Sequence, residues 1–237
     1  MSTTLPLFPL GTVLVPGELL PLHVFEPRYR TLVDDLLAAR AQGATPAFGV
    51  IAIRQGLEVG RDRVRALHGI GCVAEVLEVQ QEPDGSSDVL SVGRQRFRLV
   101  DLVEDGEGSE KPYLVGRVEW CEEPVTAVPP ELVARVQQAF DRYCRGLGVL
   151  VSGSLDGGLV AHESLTGPAR DDPTMLSYLV TGSMVLHLAE RQRLLAAPDA
   201  GSRLRTALQL LRRELTLLEV VPSVPALDLA QVPADPR

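Results

Sequence analysis

A single lysine, Lys111, stands among the 237 residues, and its scarcity removes whole classes of chemistry. A phosphate-binding loop of the G-x-x-x-x-G-K-[ST] type needs lysine to reach the β- and γ-phosphates from a glycine-rich turn. Lys111 lies instead between Glu110 and Pro112. A serine–lysine dyad needs a lysine whose pKa is lowered by burial beside the nucleophile, whereas an acidic surface loop favours the charged ammonium. Cysteine is also sparse. Cys72, Cys121 and Cys144 are far apart and form no C-x-x-C pair, so they read as small apolar residues of a reduced protein, not as a disulfide framework or a zinc site. Long apolar runs are missing too, and nothing approaches the roughly 20 residues needed to span a bilayer. The apolar N-terminus has its first positive charge at Arg28 and is interrupted by Pro6, Pro9, Pro16, Glu18 and Pro21, a pattern unlike a signal peptide. The expectation is a cytoplasmic chain with no membrane, metal or cofactor requirement.

Positive charge is in short supply where the strands are. The net charge is −8, and residues 1–127 carry 12 basic against 19 acidic side chains. Only 174–221 is mildly positive. A nucleic-acid binder normally displays a basic domain or stripe, so DNA or RNA is a poor first candidate.

What is present is a change of period along the chain. Up to about residue 127 the pattern reads as strands: Gly49 to Ile53, Cys72 to Gln80, Val89 to Val103 and Tyr113 to Trp120. Pro83-Asp-Gly85 lies between two apolar runs and predicts a hairpin turn, because proline presets φ and glycine tolerates positive φ. Many short strands separated by turns predict a small barrel or sandwich. One helix interrupts them, with Tyr29, Leu32, Val33, Leu36 and Leu37 at helical spacing after Pro27.

From about Pro129 the spacing becomes helical. Leu132, Val133, Val136, Phe140, Tyr143 and Leu147 mark one amphipathic helix, closed by Gly146 and Gly148. Residues 149–167 are glycine-rich and read as a loop. Asp172-Pro173 predicts an N-cap and first helical residue, opening a helical stretch to Leu195 broken near Gly182. Asp199 is expected to cap a last helix, in which Leu204, Leu208, Leu211, Leu215 and Leu218 recur at 4-3-4-3 spacing. Two heptads fall short of a coiled coil, so packing within a helical subdomain is preferred. The expected fold is α+β: a β-rich subdomain over 1–127, a helical subdomain over 128–221, and a flexible tail over 222–237.

Several motif matches lack the context their chemistry needs. Gly69-Ile-Gly-Cys-Val-Ala74 matches G-x-G-x-x-A, but valine-rich strand sequence follows where a dinucleotide site needs a helix. Gly153-Ser-Leu-Asp-Gly157 is a turn, not a nucleophile elbow, and His162-Glu163 lacks the second histidine of a zincin helix. His187, on a helix of apolar residues, reads as a packed histidine. Arg94, Arg96 and Arg98 alternate and would share one strand face. That face reads first as solvated and paired with glutamates; the sharper reading is a carboxylate or anion site using guanidinium forks.

The opening segment, Leu5-Pro-Leu-Phe-Pro-Leu-Gly-Thr-Val-Leu-Val-Pro-Gly17 continuing through Leu20-Pro-Leu-His-Val-Phe-Glu-Pro-Arg-Tyr-Arg30, closely resembles the start of Lon substrate-binding domains. Gly71-Cys-Val-Ala-Glu-Val76, Gly93-Arg-Gln-Arg-Phe-Arg98 and, more loosely, Leu188-Ala-Glu-Arg-Gln-Arg-Leu-Leu195 extend the likeness over about residues 5–220. The resemblance implies a PUA-like β-barrel followed by a C-terminal helical bundle. It also implies recognition of unfolded or degron-bearing polypeptides, with a separate protease or chaperone as a further partner and room for a homo-oligomer. The chain ends before an ATPase or serine–lysine protease module would appear, so a non-catalytic adaptor is expected. A PUA-like RNA-binding protein and, behind it, a small hydrolase are the alternatives. Within the motif, Leu5, Leu7, Val13, Val15, Leu20, Leu22 and Val24 are expected in strands, and Glu26 to cap the helix and pair with Arg30. The candidate binding residues are Glu26, Arg28, Tyr29, Arg94 and Arg96.

Overall fold

The computed structural model describes residues 3–54, 67–103, 111–147 and 171–220. The acidic loop at 104–110, Gly148, the glycine-rich stretch 149–167 with its Gly153–Gly157 turn and His162, and the tail from Pro222 lie outside the described residues.

Six strands, β1 (Thr3–Leu10), β2 (Leu19–Val24), β3 (Ala47–Ala52), β4 (Ile70–Gln81), β5 (Ser87–Leu102) and β6 (Val115–Trp120), form one sheet in the order β2-β5-β4-β3-β1-β6. β5 also pairs with β6, closing a five-stranded barrel and leaving β2 outside the ring. The length of β5 makes this closure work. Its first half lies between β2 and β4, and its second half, from Phe97 onward, between β4 and β6. Only β1 and β3 run parallel, joined through the crossover helix α1 (Pro27–Ala41).

The barrel is filled from one end of the apolar scale. Leu5, Leu7, Ile51, Leu67, Val73, Phe97 and Val118 make its interior, and the largest of them needs glycine beneath it. A Cβ on Gly71 would lie 2.4 Å from Phe97 Cζ and 2.5 Å from the Val50 carbonyl oxygen. The G-x-G-x-x-A match is thereby explained as packing on a strand. On the outer side of the sheet, α1 buries Tyr29, Leu32, Val33 and Leu36. Tyr29 stacks on Phe8 at 3.9 Å between ring centroids. A cavity of about 10 Å³ between α1 and the sheet has wholly apolar walls. That is room for roughly one water, so it is a packing gap and not a ligand pocket.

The hairpin between β4 and β5 turns as expected. Gly85 adopts φ +81°, and Asp84 Oδ1 accepts from the Ser86 backbone N–H at 2.9 Å and the Ser86 hydroxyl at 2.7 Å. Val13 and Val15 depart from expectation. They are buried but lie in the connection between β1 and β2, where the Val-Pro-Gly turn replaces strand pairing.

After Trp120 the chain runs without regular structure to α2 (Pro130–Gly146), followed by α3 (Pro173–Ser183), α4 (Leu188–Leu195) and α5 (Ala200–Val220). α2 is closed at Gly146 with Leu147 as its C-cap. Asp172 caps α3, accepting from Thr174 and Met175 N–H, and Asp199 Oδ1 accepts from Ser202 N–H at 2.7 Å. Leu204, Leu208, Leu211 and Leu215 are buried against Val136, Phe140, Tyr143 and Leu176, forming a separate helical core. His187 is not in a helix: it is the exposed N-cap residue of α4, placed there by the break after Ser183. No described helix is long and apolar enough to cross a membrane.

α4 joins the two halves. Leu195 packs into the core between sheet and α1, whereas Leu194 packs into the helical core. Arg191 donates through Nε to Val13 O at 2.8 Å and forms an ion pair with Glu18. Gln192 Nε2 donates to Ile70 O at 2.9 Å. A second tie runs through charge. Arg96 on β5 donates to Leu195 O at 2.8 Å, Ala197 O at 2.7 Å and Glu123 Oε2 at 2.8 Å. Arg203 on α5 donates to Leu194 O, Ser177 Oγ and Glu123. The Tyr178 hydroxyl donates to the same Glu123 carboxylate at 2.5 Å.

Candidate functional site

β2 is the strand whose surroundings differ from all others, and its geometry follows from its hydrogen-bond phase. Gly93 N–H donates to Glu18 O at 2.8 Å, and the register then runs Leu19↔Val92 through Val24↔Ser87. In an antiparallel ladder alternate residues turn their backbone groups toward the partner. Leu20, Leu22 and Val24 therefore face β5; the Ser91 hydroxyl donating to Leu20 O at 3.1 Å agrees with this. Leu19, Pro21 and His23 turn their backbone groups to the outer edge, which no described strand pairs. Proline sits where its missing N–H leaves nothing unpaired in the sheet.

Side chains alternate as well. Leu20, Leu22 and Val24 point at the core under α1. The other set, Leu19, Pro21 and His23, is exposed, and Phe25 extends it one step beyond the strand. Leu19 is 38% and Phe25 64% exposed, and the Phe25 ring lies against His23 at 6.1 Å between centroids. The stripe is about 20 Å long at 3.3 Å per residue. A large apolar ring in water beside an unpaired strand edge has the ingredients of strand addition: backbone donors and acceptors, and side-chain surface for alternate residues of a guest chain.

The charged residues at the ends of this stripe are already partnered. Glu26 occupies the N-cap position of α1 but makes no side-chain cap bond. It accepts from Arg28 Nε at 2.9 Å. Arg30 does not pair with Glu26; it reaches across to donate to Asp84 O at 2.8 Å. The Glu26 carboxylate is taken up by Arg28 instead of the helix N–H groups, and the β4–β5 turn offers Arg30 a carbonyl. Arg28 also lies 4.6 Å above the Tyr29 ring. Tyr29 is itself core, and burial, helped by Glu26 and opposed by Arg28, holds its hydroxyl above the ordinary tyrosine pKa.

Arg94 and Arg96 lie beyond the opposite end of β2, so the five candidates form two groups and not one site. They do not share a face with each other either. The register passes from Cys72↔Arg96 to Ala74↔Gly93, one residue more on β5 than on β4, and this bulge breaks the alternation. Arg94 is exposed, with its fork closed on Glu75 at 2.9 and 3.1 Å. Its hydrogen bonds hold the Glu75 carboxyl below the usual carboxylate range. Arg96 is 5% exposed and committed to α4 and Glu123.

The chemistry a hydrolase would need is not assembled among the described residues. His23 Nδ1 lies 2.7 Å from Asp88 Oδ1 on the surface, and no serine hydroxyl bonds to a described histidine. Burial pushes the Cys72 thiol up to about 12, which leaves it protonated and unreactive. Lys111 Nζ lies 2.8 Å from Asp35 Oδ2 in an exposed pair. No described group of three histidine, cysteine or acidic side chains is placed to hold a metal.

Phe25, Glu123 and Arg203 are not among the functional residues expected from the sequence, although Phe25 lies in the opening motif. Phe25 had a signal, the period-two continuation of Leu19, Pro21 and His23. Arg203 interrupts an otherwise apolar helix face. Glu123, between Glu122 and Pro124, carries no local mark.

Comparison with known proteins agrees with this architecture. The family model for the ATP-dependent protease La (LON) substrate-binding domain matches residues 4–213. Lon protease 1 of Thermus thermophilus is 28% identical over 220 residues, 91% of this chain but 25% of that protein. Lon protease of Escherichia coli is 27% identical over 159 residues, 66% of this chain and 18% of its own length. The chain thus spans about a quarter or less of these relatives. The crystal structure of a Lon N-terminal domain protein from Xanthomonas campestris superposes with a TM-score of 0.60 at 26% identity, covering 89% of this chain and 98% of that one. The N-terminal domain of the Mycobacterium avium complex Lon protease gives 0.57 at 19% identity and shares the fold. With its six-stranded mixed sheet, five helices among the described residues and a family match over most of its length, the chain belongs to the Lon substrate-binding domain family.

Proposed function

We propose that this chain is a non-catalytic polypeptide-recognition module that captures unfolded or degron-bearing segments along the β2 edge. The observation that carries the reading is the exposed stripe Leu19, Pro21, His23 and Phe25 beside a strand edge that no described strand covers, in a member of a substrate-binding family. An extended segment would take its backbone bonds from the outward groups of Leu19, Pro21 and His23, and lay its apolar side chains on Phe25 and Leu19. Glu26 and Arg28 border the stripe and would form its polar rim. Recognition would serve a separate protease or chaperone.

The test is a fluorescence titration of the purified protein with labelled, reduced and S-carboxymethylated α-lactalbumin, and separately with short single-stranded RNA, without ATP, at two salt concentrations. Saturable polypeptide binding that survives the higher salt, with no RNA binding, is the expected result. RNA binding that falls steeply with salt, without polypeptide binding, would replace this reading with nucleic-acid recognition.

A further inference from the structure

The Glu123 carboxylate accepts from three side chains of three elements: Arg96 of β5, Tyr178 of α3 and Arg203 of α5. The two guanidiniums are 5% and 0% exposed, and Glu123 is the member that reaches water, its side chain 24% exposed. It sits on the strap between Trp120 and Pro130, which has no helix or strand, and residues 124–127 of that strap are exposed. Between Cys121, tied by its N–H to Arg96 O at 3.0 Å, and Val128, which packs on the helical core, Glu123 is the side chain that turns inward. The Arg203 guanidinium also lies 3.9 Å above the Tyr178 ring.

We propose that Glu123 is a latch that fastens the helical bundle to the barrel, with the α4–α5 corner at residues 196–199 as the hinge. α4 is held to the barrel independently, by Arg191, Gln192 and Leu195. α2, α3 and α5 share a core that Leu194 of α4 also enters, Tyr178 of α3 reaches the barrel-side core, and the charged side chain that carries α3 and α5 to β5 is Glu123. When its charge is removed, two buried cations lose their common counter-ion, and water solvates them most easily by entering along the exposed strap. The bundle core then opens away from a barrel and α4 that stay folded. This device stands whether or not polypeptides bind at β2.

The experiment is amide hydrogen exchange by mass spectrometry on the full chain, comparing wild type, Glu123→Gln and Glu122→Gln, with thermal unfolding alongside. Glu123→Gln is expected to speed exchange in α2, α3 and α5 at least ten-fold, to leave β3, β4 and the first half of β5 unchanged, and to split thermal unfolding into two transitions. Glu122→Gln, at an exposed position one residue away, should match wild type. If Glu123→Gln does not yield folded protein, Tyr178→Phe removes one of the three donors and should give the same regional pattern at smaller amplitude. Uniform acceleration across barrel and bundle, no acceleration, or an equal effect of Glu122→Gln would each overturn the proposal.

Discussion

Arg203 lies over the Tyr178 ring, its guanidinium carbon 3.9 Å from the centroid, and both side chains end on Glu123. Burial works against the charge of Arg203 and lowers its pKa, and Tyr178 and Glu123 oppose that effect. Burial also raises the Tyr178 hydroxyl well above its ordinary pKa, so it remains a donor at any physiological pH. The planar fork matters here as much as the charge, because Leu194 O, Ser177 Oγ and Glu123 lie in different directions. A lysine ammonium cannot reach all three. Arg203→Lys is expected to lower the unfolding free energy by about 2 kcal/mol through the lost hydrogen bonds, measured by urea denaturation. Unchanged stability would show that charge alone suffices.

The barrel interior makes a steric prediction. Gly71→Ala places a methyl 2.5 Å from the Val50 carbonyl oxygen and 2.4 Å from the Phe97 ring. The backbone contact cannot swing aside, so β3 and β4 must separate locally. A loss of about 2–3 kcal/mol is expected, in the range of overpacked cores. Gly69→Ala, two residues away with nothing within 4 Å of the added carbon, should stay within about 0.5 kcal/mol of wild type.

Asp199 supplies a pH-dependent term. The Ser202 N–H bond, with its hydroxyl, lowers the Asp199 carboxyl pKa in the folded chain. A depressed folded pKa means that the unfolded chain binds more protons on the acid side. The contribution is therefore present above the unfolded value of about 4 and is lost as pH falls through the folded value. Asp199→Ala should cost about 1 kcal/mol at pH 7 and correspondingly less at pH 2–3. Asp199→Asn should retain most of the cap and remove that acid dependence. Parallel stability–pH curves for Asp199→Ala and wild type would contradict the assignment.

How far the sequence could be read depended on how local the controlling physics is. Asp172, Asp199 and the Pro83-Asp-Gly85 turn were legible because capping and turn formation use groups within a few residues. The strands were legible from short valine- and isoleucine-rich runs between turn residues, and the helical half from leucine spacing. The bulge between Gly93 and Arg96 was not, since it lies in the pairing of β5 with β4 and neither segment shows it alone. Nor was the fate of Arg96, whose partners at Leu195, Ala197 and Glu123 come from distant chain segments. Glu26 was misread for a related reason: Arg30 found the Asp84 carbonyl across the sheet, a competitor invisible in a one-dimensional pattern. For the candidate site, the motif around Leu20–Glu26 was noticed for its inward residues, while recognition is assigned to the outward ones.

The central claim concerns Phe25, and its most direct test is the affinity of wild type and Phe25→Ser for the same unfolded polypeptide. Phe25 is mostly exposed and its ring touches little besides His23, so the substitution should change stability by less than about 0.5 kcal/mol. Burial of the ring against a bound chain would contribute about 1.5 kcal/mol, or roughly ten-fold in Kd. The account predicts that ten-fold weakening with an unchanged thermal transition. Equal affinities for wild type and Phe25→Ser would contradict it and remove recognition from the β2 edge.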